Sequence, residues 1–277
     1  MKLWHGIVAL LLLIGIILGV MGLLGSLSTT PSQGTVYTMG VVVPLTGDGA
    51  VYGLPVQRLI QRAIQDQNAL WTPQNKKLEV HFEDGKCNPK DGLTAAQTLV
   101  NLQGIKVLYG GACSGETLGA APFANQNKVI IFSPLSSSPA VTGAGEYIFR
   151  NYPSDTAQVA AGSQHIIDAG YTNAALLSEN TDYAQALRKG YIAALEKAGI
   201  TIVADEVVDS SAKEVRTQLL KIKNGNPDVV ILLPQTIPMA GIFAKQWVET
   251  GMDVHVYGNE IFSLGDTLKA YGREMEG

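Results

Sequence analysis

Residues 111–115 read Gly-Ala-Cys-Ser-Gly, a G-x-C-x-G. A sulfur and a hydroxyl at the tip of a small-residue turn could form a nucleophile elbow, provided a histidine base and a carboxylate stand behind them. The same turn could open a helix whose free backbone N–H groups and Ser114 hydroxyl hold an anion. Cys113 could also be half of a disulfide. A second hydroxyl cluster, Ser136-Ser137-Ser138, follows another apolar run. Further along, Glu179–Tyr183, Pro234-Gln235-Thr236 and Gly258-Asn259-Glu260 offer amides, a tyrosine and a carboxylate.

The chemistry of an elbow finds little support. The four histidines are His5, His81, His165 and His255. His81 and His255 alternate within strand-like runs, His165 lies within a helical stretch, and His5 belongs to an N-terminal apolar segment. None falls beside the hydroxyl clusters, so no catalytic residue is assigned. Cys87 and Cys113 sit in no C-x-x-C and near no histidine at zinc spacing, so no metal site and no cofactor is expected. Holding a ligand suits the residues better: a carboxylate on Ser114 and the serine cluster, and an ammonium on Glu260.

The elements that must position these residues alternate. Val36–Val43 reads as a buried strand ending at Pro44, and Pro55 is expected to open a helix striped with Val56, Leu59, Ile60, Ala63 and Ile64. Strands then follow at Leu78–Phe82, Ile105–Tyr109 and Val129–Phe132, with helices from Pro89 and over Glu116–Gln126 between them. After Tyr152-Pro153-Ser154 the rhythm restarts. Residues 155–169 are helical, and strands at Ala174–Leu177, Ile202–Val208, Val229–Leu233 and Val254–Tyr257 alternate with helices over Ala184–Ala198, Ala212–Lys223 and Met239–Glu249. Parallel strands need crossovers, so the pattern predicts an α/β fold with two Rossmann-like lobes. In open parallel sheets ligands collect beyond the carboxyl ends of the strands, where the hydroxyl clusters fall.

Composition narrows the context. The 277 residues carry a net charge of −4 and no basic cluster beyond Lys76-Lys77, which argues against a nucleic-acid partner. An apolar run from about Ile7 to Leu24 precedes a small polar linker. It reads as a signal peptide or an uncleaved membrane anchor, so the chain is exported and residues 7–24 offer a membrane contact. In an exported domain two cysteines most simply make one disulfide.

The chain from about Val36 onward resembles the type I periplasmic binding proteins, in particular the leucine/isoleucine/valine-binding branch. The resemblance is carried by MGVVVPLTGDGAVYG, FEDGKCNPKDGLTAAQTLV, GGACSGETLGAAPFANQNKVIIFSPLSSSPAVT and YGNE. It implies a two-lobed Venus flytrap that binds an amino acid or close analogue, such as an amide, and delivers it to an ABC-type permease from the periplasm or cell surface. It implies a Cys87–Cys113 disulfide and a ligand set of Tyr52, Ser114, Leu135, Ser136, Ser137, Tyr183 and Glu260. Ser114 and Ser137 would take the carboxylate, Glu260 and the Leu135 carbonyl the ammonium, and Tyr52 and Tyr183 would flank the side chain. A second aromatic of that branch is absent, with Gln235 or Thr236 in its place. The domains implied are 1–34 (export segment and linker), 35–153 (lobe 1, incomplete) and 154–277 (lobe 2). Family members run about a hundred residues further, so the sequence reads as C-terminally truncated before the return that completes lobe 1. Two other readings stay open: a membrane-anchored sensory domain, and an exported hydrolase using Ser114 or Cys113.

Overall fold

The computed structural model describes residues 34–276. The export segment and its linker, including the membrane contact expected of residues 7–24, lie outside them. Among the described residues no helix is long and apolar enough to cross a membrane.

The chain divides into two compact units. Among the described residues, one comprises 34–37 and 66–78. In it the Tyr37 and Trp71 rings meet at 5.1 Å, and the Asn68 side chain accepts from the Leu78 N–H and donates to the Leu78 carbonyl, at 2.7 and 3.0 Å.

The other unit, 38–65 and 79–276 among the described residues, contains all the cavity-lining residues described below. The first sheet is built from β1 (Thr35–Val43), β2 (Lys76–Asp84), β3 (Val107–Gly110), β4 (Ile130–Ser133) and β5 (Ile148–Arg150), in the order β2-β1-β3-β4-β5. The second sheet contains β6 (Asn173–Glu179), β7 (Thr201–Val208), β8 (Val229–Leu233) and β9 (His255–Gly258), in the order β7-β6-β8-β9. The pairs β1–β3, β3–β4, β4–β5, β6–β7, β6–β8 and β8–β9 are all parallel. This is the α/β architecture that the alternation dictates. The helices are α1 (Ala50–Trp71), α2 (Pro89–Gln97), α3 (Ser114–Asn127), α4 (Thr156–Asp168), α5 (Asp182–Lys197), α6 (Arg216–Asn224), α7 (Ile237–Thr250) and α8 (Gly265–Tyr271).

The central strands β6 and β8 of the second sheet bury both faces, which is why β8 reads Val-Val-Ile-Leu-Leu without alternation. One face packs Leu176 and Ile231 against Leu187, Tyr191 and Leu195 of α5. The other packs Leu177 and Val230 against Leu219, Ile222 and Phe243. In the first sheet Leu108 and Ile131 pack on Ala96, Leu99, Ala120 and Ala124.

Several boundaries differ from expectation. Helix α1 starts at Ala50, so Pro55 lies inside it; the helix forgoes one internal hydrogen bond there and continues. Helix α6 starts at Arg216 instead of Ala212. The Asp209 carboxylate accepts from both the N–H and the hydroxyl of Ser211, at 2.8 and 2.5 Å, which holds that stretch in a turn. Strand β5 and helix α8 are too short to show a periodic pattern, and neither is evident from the sequence.

Where α1 crosses the end of β1, the backbones nearly touch. A Cβ on Gly53 would lie 1.8 Å from the Pro44 carbonyl oxygen, whereas one on Gly143 would meet nothing within 4 Å. Gly53→Ala is therefore expected to cost at least the roughly 1–3 kcal/mol of an overpacked core, and Gly143→Ala to stay within about 0.5 kcal/mol of wild type. Urea midpoints of the two variants decide; equal midpoints would contradict the contact.

Candidate functional site

A cavity of about 220 Å³ lies beyond the carboxyl ends of the strands of both sheets. Tyr52, Ala112, Cys113, Ser114, Leu135, Ser137 and Tyr152 line it from the first sheet's side. Tyr183, Gln235, Glu260, Ile261 and Leu264 line it from the second's. Six of the seven ligand residues expected from the sequence thus converge from turns that are distant along the chain. Ser136 is the exception, because its side chain is committed inward.

The floor on the first sheet's side is held by one carbonyl. Gly111 O accepts from the hydroxyls of Ser133, Ser136 and Thr117 at 2.7, 2.9 and 3.3 Å. Ser136 Oγ also lies 2.8 Å from Thr117 Oγ1, and all three side chains are buried. This knot joins the β3–α3 turn to the β4 turn. Arg150, on the unforeseen β5, closes it from outside by donating to the carbonyls of Ser136 and Ser138 at 3.2 and 2.9 Å.

Cys113 is bonded to Cys87. That removes the thiol an elbow would need. Ser114, the first residue of α3, keeps its hydroxyl in the cavity lining, where Oγ accepts the Ser138 N–H at 3.1 Å. No histidine is among the lining residues. The G-x-C-x-G is therefore a covalent tie followed by a helix N-terminus, a place where backbone N–H groups and the helix dipole favour negative charge.

A buried carboxylate supports that turn. Glu116 accepts from the backbone N–H groups of Cys113 and Cys87 at 3.0 and 3.1 Å. The first contact is the return half of a capping box; the second clamps the other cysteine. Burial, outweighing these donors, pushes the Glu116 carboxyl up to about 7.

On the second sheet's side the polar group is Glu260. It is solvent-exposed, with Oε1 accepting from the Tyr183 hydroxyl at 2.6 Å and Oε2 from Gln158 Nε2 at 2.7 Å. Tyr183 is fixed in turn by Asn259, whose Nδ2 donates to Tyr183 Oη at 3.2 Å and to the Pro234 carbonyl at 2.6 Å. Burial and the Glu260 charge hold the Tyr183 phenol well above its ordinary range, so it stays a donor. Tyr183 therefore orients a carboxylate as well as lining the cavity. Gln158 and Asn259 complete the arrangement. Gln158 carries no local signal, because it lies 102 residues from the group it holds.

Asp155 is a further acidic group near this end. It is buried, and its Oδ2 has no hydrogen-bond partner. Burial first and the Glu260 charge second raise it to about 6, against the pull of the Ser137 hydroxyl and Arg150. No lysine or arginine is among the residues lining the cavity. The cavity lining thus pairs a helix N-terminus and a hydroxyl with one carboxylate, Glu260, which is complementary to a small zwitterion.

Residues 36–277 match the family model described as periplasmic binding protein. A protein of Brucella melitensis named Leu/Ile/Val-binding protein homolog 3 is 27% identical over 242 residues, which cover 87% of this chain and 65% of the relative. The branched-chain amino acid transporter substrate-binding protein of Streptococcus pneumoniae, solved with isoleucine, shares 25% identity and a TM-score of 0.69, covering 82% of this chain and 65% of that one. A solute-binding protein of an ABC transporter from Rhodopseudomonas palustris, solved with 3,4-dihydroxybenzoic acid, has the same fold at a TM-score of 0.74 and 23% identity, covering 87% and 67%. The chain spans about 65% of the length of that Brucella relative.

The raised carboxyls make a pH prediction. The folded state holds protons on Glu116 and Asp155 more tightly than the ordinary values of 4.5 and 3.8 imply. Their contribution to stability is therefore complete below about pH 4 and is lost as pH rises through about 6 to 7. Urea midpoints are expected to fall between pH 5 and pH 8, and Glu116→Gln to flatten part of that slope. An unchanged slope in the variant would show that Glu116 is not a source of it.

Proposed function

Because this chain belongs to the periplasmic binding protein family, we propose that it binds a small α-amino acid, or a close analogue, in the cavity between its two sheets. It makes and breaks no covalent bond. The observation that carries this reading is the opposition of Ser114 to Glu260 across one cavity. The ligand carboxylate sits on the α3 N-terminus and the Ser114 hydroxyl, with Ser137 beside it. The ammonium meets Glu260, held by Tyr183 and Gln158, and the Leu135 carbonyl. Tyr52 borders the side chain.

The two halves are lobes, residues 35–153 and 154–277, that close on the ligand. A ligand touching both walls favours the closed form by the contacts that exist only there. The closed, loaded protein would be the form presented to an ABC-type permease outside the cytoplasm. The transport reading draws on the relatives, several of which are transporter binding proteins. The hydrolase alternative loses its thiol to the disulfide and has no histidine in the cavity lining.

Isothermal titration with common α-amino acids tests the clamp. A hydrogen bond to a charged group is worth roughly 1.5–3 kcal/mol, so Glu260→Ala is expected to weaken binding about 10- to 100-fold. Ser114→Ala is expected to weaken it about 10-fold. An N-acetylated ligand, with no ammonium, should not bind wild type. If it binds as tightly as the free amino acid, the clamp is wrong.

A further inference from the structure

The amine and carboxylate ends leave one polar wall of the cavity unused. Gln235 lines it and is 6% exposed. Its backbone is rigidly placed, because the N–H groups of Gln235 and Thr236 both donate to Glu179 Oε2, at 2.6 and 3.1 Å, and Glu179 is fully buried. The Gln235 carbonyl accepts the Tyr52 hydroxyl at 2.5 Å. Burial, reinforced by the charges of Glu260 and Glu179, raises the Tyr52 phenol and keeps it protonated.

The carboxamide itself is poorly matched. Nε2 donates to Cys87 Sγ at 3.3 Å, and sulfur is a weak acceptor. Oε1 accepts no hydrogen bond among the described residues. Turning the amide over would change which end is open but would still leave a strong partner missing. Of the other cavity-lining residues, Ala112, Ile261 and Leu264 have no polar side chain to offer it. A ligand that fills this wall with hydrocarbon strands the amide away from water, whereas one that offers a hydroxyl or carboxamide completes it.

We infer that Gln235, with Tyr52 beside it, selects amino acids whose side chain ends in a hydroxyl or carboxamide over apolar side chains of the same shape. The inference rests on the amino-acid reading of the site given above. The cavity adds a size limit: about 220 Å³ is below the roughly 300–1,000 Å³ of sites for drug-sized molecules, so the side chain is short.

Two near-isosteric pairs test it by isothermal titration of the intact chain: asparagine against leucine, and threonine against valine. Wild type is expected to bind the polar member of each pair at least about 10-fold more tightly. In Gln235→Met, which keeps length and loses the amide, both ratios should fall toward one or invert, with the thermal midpoint unchanged. The wild-type ratios need no variant and stand even if Gln235→Met folds poorly. If leucine and valine equal or exceed their partners in wild type while Glu260→Ala still weakens leucine binding, the amine clamp survives and this inference is overturned. If no α-amino acid binds, the amino-acid reading itself fails and takes this inference with it.

Discussion

Two buried carboxylates that hold backbone amides are the constraint on which the site depends. Glu116 holds the amides of Cys87 and Cys113 beyond the first sheet. Glu179 holds those of Gln235 and Thr236 beyond the second. Strand-end turns expose N–H groups that no ladder can satisfy, and a buried N–H without a partner costs about as much as a lost hydrogen bond. A carboxylate can satisfy two such groups while drawing distant turns together, through both oxygens in Glu116 and through Oε2 alone in Glu179. Burial raises both carboxyls above their ordinary range, so the fold bears a desolvation cost to hold these turns.

Each carboxylate places a different part of the cavity. Glu116 fixes the disulfide-bearing turn, and so sets where Ser114 begins α3. Glu179 fixes the turn after β8, and so sets where Gln235 meets Tyr52. The hydroxyl knot on Gly111 O and the Arg150 bridge then lock the serine turn against the first. Glu260 stands apart from this buried scaffold, exposed at the cavity, with Tyr183 and Gln158 on its oxygens. An exposed carboxylate with polar neighbours is available to a ligand in a way that the two buried ones are not.

The local reading of the G-x-C-x-G left its roles open, and the three-dimensional arrangement separates them. Cys113 supplies the covalent tie, and Ser114 supplies a hydroxyl at a helix N-terminus. Ser136 and Ser137 are neighbours of the same type with opposite assignments. Ser136 turns inward to Gly111 O, and Ser137 lines the cavity. Tyr183 lines the cavity and also donates its hydroxyl to Glu260. Residue type alone could not separate these uses, because a serine or tyrosine hydroxyl serves a backbone carbonyl, a carboxylate or a ligand with the same chemistry.

By itself the sequence determined the alternation of strands and helices, and hence parallel sheets with loops gathered at their carboxyl ends. Those follow from periodicity and from the length that a parallel crossover requires. The motifs around Cys87, Ser114, Ser137 and Glu260 also carried the family resemblance, now matched over residues 36–277. The tertiary structure alone decided which hydroxyls point inward, that Gln158 holds Glu260 from 102 residues away, and that Gln235 instead of Thr236 lines the cavity. It also decided that β5 exists and brings Arg150 to the serine turn. These depend on which turns meet once the sheets are packed, and sequence spacing holds no record of distance between residues so far apart along the chain.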